Sequence, residues 1–120
     1  ASYPAEDLYW LSRIISAESR GEPLLGQIAV GNVILNRVES SQYPDTVEGV
    51  VFDTKYGVQF QPVSNGRINS VKVTAETIRC VDRALDGEDY SNGALYFMNR
   101  KASGRKAGRS SEETLSESES

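Results

Sequence analysis

Glu18 is the residue of this sequence whose position best suits acid–base chemistry. At helical spacing it continues an apolar stripe made of Leu11, Ile14 and Ile15. Its carboxyl group is therefore expected in a poorly solvated place, near the negative end of a helix dipole. Both effects disfavour ionisation and raise the pKa of a carboxyl group, as a general acid requires. The structural alternative is a snorkelling glutamate, or one paired with Arg13 or Arg20.

Other carboxylates compete for a catalytic role. Glu22 lies in the turn before Pro23, where a solvated or helix-capping acid is expected. A glycosidase with two carboxylates holds them about 5–10 Å apart across a cleft, whereas Glu18 and Glu22 would flank the same side. No spacing singles out one of the remaining candidates, Asp45, Glu48 and Asp53.

Composition excludes several kinds of chemistry. The chain of 120 residues has no histidine, so histidine-based triads and histidine-ligated metals are excluded, and no metal or cofactor is predicted. Its single cysteine, Cys80, cannot form an internal disulfide and is predicted to be a small core residue. A net charge of −4 argues against nucleic acid as the main partner. No apolar run is long enough for a transmembrane helix, and the start at Ala1 is that expected of an excised mature domain.

Three helices are predicted to position these residues, over 6–19, 23–38 and 74–86. Apolar spacing defines the first two, and Thr74 is the expected N-cap of the third. The buried stripe of the third helix is predicted to be Ala75, Ile78, Val81 and Leu85. Residues 58–63 alternate between apolar and polar types before a Ser-Asn-Gly turn, which indicates a short β-hairpin.

The chain divides into a folded unit and a polar tail. Residues 1–99 contain the periodic apolar segments and are predicted to form one domain. Residues 100–120 consist of a basic run followed by serines and glutamates, and they carry too few apolar residues to offset the entropy of ordering. We expect this tail to be disordered or divergent.

Several motifs carry a family resemblance. In chain order they are AESRGEP at 17–23, GQIAV at 26–30, LNRV at 35–38, YPDT at 43–46, GVV at 49–51, QF and PV within 59–63, and GALYF at 93–97. Together they resemble the SleB/CwlJ-type cell-wall hydrolases, the spore cortex-lytic enzymes and their relatives, over about residues 7–99. After Arg100 the sequence departs from that pattern, because related chains continue into an aromatic-rich segment with a histidine.

The resemblance implies an α+β, mainly helical, lysozyme-like domain related to lytic transglycosylases. It also implies cleavage of the β-1,4 bond between N-acetylmuramic acid and N-acetylglucosamine in peptidoglycan. The family's catalytic glutamate maps onto Glu18, which the stripe had already singled out. A single acid can perform this reaction and form 1,6-anhydro-muramic ends. The expected place of action is outside the cytoplasm, in the spore cortex or cell envelope, for a secreted enzyme.

Supporting roles are predicted for four further residues. Gln59 and Phe60 are candidates to line the sugar groove, with Phe60 equally well placed as a core residue. Tyr96 and Asn99 are candidates for polar contacts with the substrate. Asn32 and Asn36, one helical turn apart, are expected to hold the loop over the cleft through their buried amides.

Two functional alternatives remain open from the sequence. A hydrolytic muramidase would use water activated by a carboxylate such as Glu22 or Asp45. A catalytically inert peptidoglycan-binding module would keep the scaffold and lose cleavage because of the altered C-terminus.

Overall fold

The computed structural model of the chain describes residues 3–19, 21–55 and 59–96. Within these residues the regular structure is helical, apart from an isolated bridge residue at Tyr96. In chain order the helices are α1 (Ala5–Glu18), α2 (Leu24–Glu39), α3 (Val47–Val51), α4 (Gln61–Ser64), a 3₁₀ turn (Arg67–Asn69) and α5 (Ala75–Leu85).

The three longest helices form the frame of the domain. α2 packs against both α1 and α5, and α3 covers another side of α1. Gly31 permits the close approach of the frame, because a Cβ at this position would lie 3.0 Å from Ile15 Cδ1 and 3.5 Å from Ala84 Cβ. The core contains aliphatic side chains from α1, α2, α3 and α5, among them Leu11, Ile14, Ile15, Ile28, Val33, Ile34, Val47, Val50, Val51 and Val81.

The predicted helices are confirmed, but the predicted buried stripe of α5 is wrong at two positions. Ala75 is exposed, and Ile78 is 46% exposed. The buried face of α5 consists of Thr77, Cys80, Val81 and Ala84. Hydrophobicity alone does not predict this buried face, because it contains a threonine. Burial of the Thr77 hydroxyl is stable only because it is hydrogen-bonded to Ser16, Thr74 and Gln27. Thr74 is the N-cap as predicted, since its hydroxyl accepts from the Thr77 backbone N–H at 3.1 Å.

The predicted β-hairpin is wrong. Residues 61–64 form α4, and the Arg67–Asn69 turn follows where the second strand was expected. Pro62 occupies the first turn of α4, where its fixed φ suits a helix and its missing N–H costs nothing. Gly66, with φ of +79°, then reverses the chain. The proline and the glycine therefore determine the local structure here, and the short alternating pattern does not.

Asn32 and Asn36 hold the segment after α5, as the sequence predicts. The Asn32 amide donates to Glu88 O at 2.9 Å and accepts from Tyr90 N at 2.8 Å. The Asn36 amide donates to Ser91 Oγ and to Ala94 O, both at 2.9 Å. Cys80 is fully buried, which confirms it as a core residue.

Some predictions fall outside the described residues, namely those for Arg20, Asn99 and the tail at 100–120. The described part of the chain contains no helix that is long and apolar enough to cross a membrane.

Candidate active site

Glu18 is the last residue of α1, and the chain turns away immediately after it. The Ser19 N–H still bonds to Ile15 O at 3.0 Å, and the Ser19 hydroxyl donates to the same carbonyl. The Glu22 N–H closes the turn on Ser19 O at 2.9 Å, with Gly21 at a φ of +81°. The helix therefore ends at a defined point and leaves the Glu18 side chain half-buried.

The pKa of Glu18 is raised above the ordinary value for a glutamate. Burial is the main cause, and the Arg67 guanidinium opposes it by favouring the carboxylate. This direction is the one that the apolar stripe predicts. A carboxyl group whose pKa is raised keeps more of its acid form near neutral pH and can donate that proton.

Arg67 is a functional candidate that sequence reasoning missed. Its Nη2 donates to Ala17 O at 3.1 Å, so the guanidinium is held at the C-terminal turn of α1, next to Glu18. The Arg67 backbone N–H donates to Asn65 Oδ1 at 2.9 Å, which fixes the start of the 3₁₀ turn. No local signal distinguishes this arginine, because 50 residues separate it from the helix end that it contacts.

The alternative pairing of Glu18 with Arg13 is wrong. Arg13 Nη1 donates to Ile68 O at 2.7 Å, and its guanidinium lies 4.5 Å from the centre of the Tyr9 ring. Arg67 is therefore the cation that acts on Glu18 within the described residues.

A cavity of about 500 Å³, lined mainly by residues with polar side chains, lies beside the end of α1. Side chains from α1, α2 and α5 form a hydrogen-bonded wall: Ser16 Oγ donates to Thr77 Oγ1 at 3.1 Å, and Gln27 Nε2 donates to Glu76 Oε2 at 2.8 Å. The described residues that line the cavity are Ser16, Ser19, Gly21, Gln27, Arg67, Ser70, Val71, Lys72, Thr74, Glu76 and Thr77.

The rival carboxylates have other surroundings. Glu22 lies against the first turn of α2, with its Oε1 3.1 Å from the position of a Cβ on Gly26. The pKa of Glu48 is also raised, by desolvation and then by Glu6, but Glu48 belongs to the start of α3. Its backbone N–H faces the buried Asp7 carboxylate at 3.4 Å. The lining of the cavity includes none of these carboxylates, and it does not include Glu18 itself, whose chain neighbours Ser16 and Ser19 line it.

Phe60 and Tyr96 meet at Arg37 rather than at Glu18. The buried Arg37 guanidinium lies 5.3 Å from the Phe60 ring centre and 5.6 Å from that of Tyr96, and its Nε donates to Leu95 O at 2.6 Å. Phe60 is 7% exposed and belongs to the core, so the core alternative is the one that the structure supports. Tyr96 is 40% exposed and lies close to Tyr43, whose pKa is raised to about 12, chiefly by burial. Gln59 is exposed.

The described residues contain no group of three or more cysteines and carboxylates that could hold a metal ion. What the site offers is one half-buried carboxyl group of raised pKa, a nearby cation that stabilises its conjugate base, and an adjacent polar cavity.

Solved structures define the class of this domain. The catalytic domain of the germination-specific lytic transglycosylase SleB from Bacillus anthracis superposes with a TM-score of 0.71 at 39% identity, over 82% of this chain and 77% of that one. The catalytic domain of the Bacillus cereus SleB protein matches with the same TM-score and identity, over 82% of this chain and 73% of that one. The fold is therefore mainly helical and lysozyme-like.

The chain belongs to the Cell Wall Hydrolase family, whose model matches residues 21–117. It is 41% identical to the spore cortex-lytic enzyme of Halalkalibacterium halodurans over 100 residues, which are 82% of this chain and 29% of that protein. It is also 41% identical to the Bacillus cereus spore cortex-lytic enzyme over 98 residues, 81% of this chain and 36% of the relative. The chain thus spans about a third of the length of these curated relatives.

Proposed function

We propose that this domain cleaves the glycan strands of peptidoglycan as a lytic transglycosylase, with Glu18 acting first as acid and then as base. The observation that carries the proposal is the burial of Glu18 at the end of α1, which raises its pKa. The relatives support the substrate class, since a protein with a domain 39% identical to this chain is described as a germination-specific lytic transglycosylase. Such a substrate places the reaction outside the cytoplasm, in the spore cortex or cell envelope.

The proposed reaction needs only one carboxyl group. Protonated Glu18 donates its proton to the glycosidic oxygen while the bond from that oxygen to C1 of the muramic residue breaks. The electron pair of the bond leaves with N-acetylglucosamine, and positive charge develops on the muramic ring. The Glu18 carboxylate then removes the proton of the C6 hydroxyl, whose oxygen bonds to C1 and closes a 1,6-anhydro ring. Glu18 ends protonated, so the cycle consumes no water.

Burial and Arg67 have complementary effects on this cycle. Burial keeps the proton on Glu18 before the bond breaks, because the charged form is poorly solvated there. Arg67, fixed on Ala17 O, stabilises the carboxylate that exists between the two proton transfers. The pKa of Glu18 is thus set by two opposing effects: burial favours the protonated form, and Arg67 favours the carboxylate.

The test is mass spectrometry of the soluble products from purified peptidoglycan. Wild-type protein is expected to release fragments that end in anhydro-muramic acid. Glu18→Gln is expected to reduce that release by about 10²–10⁴-fold, because the amide has no proton to donate. Circular dichroism verifies that the variant is folded.

Glu22→Gln is the matched control, since it makes the same change four residues away. We expect it to retain cleavage and the anhydro product. Reducing muramic ends that disappear in Glu22→Gln would instead support a hydrolytic muramidase. Wild-type activity in Glu18→Gln would contradict the proposal, and a folded wild-type chain that binds the wall without cleaving it would indicate an inert binding module.

A further inference from the structure

The cavity beside the end of α1 has no part in the proton transfers described above. We propose that it binds the carboxylate-bearing peptide stem of the muramic acid residue at the cleaved bond. This inference rests on the proposed function, because it concerns the same substrate at the same site.

The first argument for this ligand is the position of the cavity. Ser16 and Ser19, which lie on either side of Glu18 in the chain, both line it, and Arg67 extends from Ala17 O to its wall. In peptidoglycan the peptide is attached through a lactyl ether to the muramic ring, the same ring whose C1 reacts. A muramic residue placed at Glu18 must therefore accommodate its peptide close to the end of α1.

The second argument is the charge of the residues that line the cavity. Arg67 and Lys72 both line the cavity, and in the described part of the chain neither forms a salt bridge. Glu76, the carboxylate among the described lining residues, accepts a hydrogen bond from Gln27 Nε2 at 2.8 Å, so the lining keeps a net positive charge. Arg67 also acts on Glu18, and Lys72 adds a second cation; such a lining suits an anionic ligand, because charge-assisted hydrogen bonds to carboxylates are about twice as strong as neutral ones.

The remaining lining suits a peptide better than a bare sugar. Its described residues contribute hydroxyl and amide groups but no aromatic ring on which a pyranose could stack. Thr77 and Gln27 are buried, and hydrogen bonds to each other, to Ser16 and to Glu76 fix them, so this wall is preformed. A volume of about 500 Å³ accommodates a short peptide segment, and it falls in the range of about 300–1,000 Å³ typical of ligand sites.

Calorimetry with two ligands of nearly the same shape, one carrying carboxylates and the other neutral amides, tests the proposal. The first ligand is N-acetylmuramoyl-L-alanyl-D-glutamate, and the second is the same molecule with both carboxylates converted to amides. Wild-type protein is expected to bind the diacid about tenfold more tightly, the effect of about one charge-assisted hydrogen bond. Equal affinities, or no binding of the diacid at millimolar concentration, would overturn the proposal.

Lys72→Glu is expected to abolish the preference for the diacid. Lys72 is exposed, so the substitution leaves the core intact, and Lys72→Gln gives the same test without the reversed charge. Arg79→Glu is the matched control, because Arg79 is exposed on α5 away from the lining and makes the same change in net charge. An equal loss of preference in Arg79→Glu, or a preference that survives Lys72→Glu, would contradict the proposal.

Glycerol phosphate distinguishes peptide carboxylates from the phosphates of other wall polymers. We expect it to displace the diacid only weakly, and displacement at equal concentration would reject the peptide as the ligand. None of these measurements requires cleavage. A failure here therefore leaves the product analysis of Glu18→Gln standing, and a failure of that analysis leaves the binding result standing.

Discussion

Removal of the Asn32 side chain is expected to loosen the segment that follows α5. Asn32 is 4% exposed, and its amide bonds to Glu88 O at 2.9 Å and to Tyr90 N at 2.8 Å. Both partners are backbone groups in a stretch without regular structure. The side chain of α2 thus supplies the hydrogen bonds that a helix or sheet would otherwise provide.

The magnitude follows from these two bonds. Each contributes about 1 kcal/mol, and its loss leaves a half-buried backbone group unsatisfied, so Asn32→Ala is expected to lower the free energy of unfolding by about 2–3 kcal/mol. Asn32→Asp keeps the acceptor for Tyr90 N but turns an anionic oxygen toward Glu88 O in a buried position. We expect a larger loss, of about 3–5 kcal/mol, near neutral pH.

Urea denaturation followed by circular dichroism measures both losses. Asn69→Ala, on the exposed Asn69 of the 3₁₀ turn, is the matched control and is expected to change stability by less than about 0.5 kcal/mol. Acidification should restore part of the stability of Asn32→Asp, because burial raises the pKa of the new carboxyl group and the penalty is lost as pH falls through it. An aspartate variant as stable as wild type at neutral pH would refute the reasoning.

Three further outcomes are expected. Arg67→Gln should shift the high-pH limit of peptidoglycan cleavage upward, because Arg67 lowers the pKa of the acid Glu18; a pH–rate profile that stays in place would contradict this. Glu18→Gln should raise the melting temperature more at pH 7 than at pH 4. The folded-state pKa of Glu18 lies above the unfolded-state pKa, so wild-type protein loses stability as pH rises through these pKa values, and the glutamine variant avoids that loss. Calorimetry at the two pH values measures the difference. Gly49→Ala should lower the free energy of unfolding by about 1–3 kcal/mol, because its Cβ would lie 2.7 Å from Pro44 Cβ; an unchanged denaturation midpoint would argue against that contact.

Where a feature depends on near neighbours in the chain, the sequence predicts it. The three long helices follow from apolar spacing, and the Thr74 cap follows from one hydroxyl and the N–H three residues on. The direction of the Glu18 pKa shift was also predictable, because Glu18 continues an apolar stripe of α1 and burial is the main cause of the shift. Asn32 and Asn36 were identifiable as structural because a buried helix face must satisfy its amides.

Tertiary structure alone decided the features that join distant segments. Arg67 reaches Ala17 across 50 residues, and Ser16 meets Thr77 across 61, so neither the cation beside Glu18 nor the cavity wall has a local signature. The same long-range hydrogen bonds orient α5 so that its Thr77 side is buried and Ile78 is exposed to solvent. The sequence singled out Glu18 as the candidate acid. The packing of α1, α5 and the 3₁₀ turn determined its charged neighbour and the cavity beside it, because these depend on contacts that no spacing rule contains.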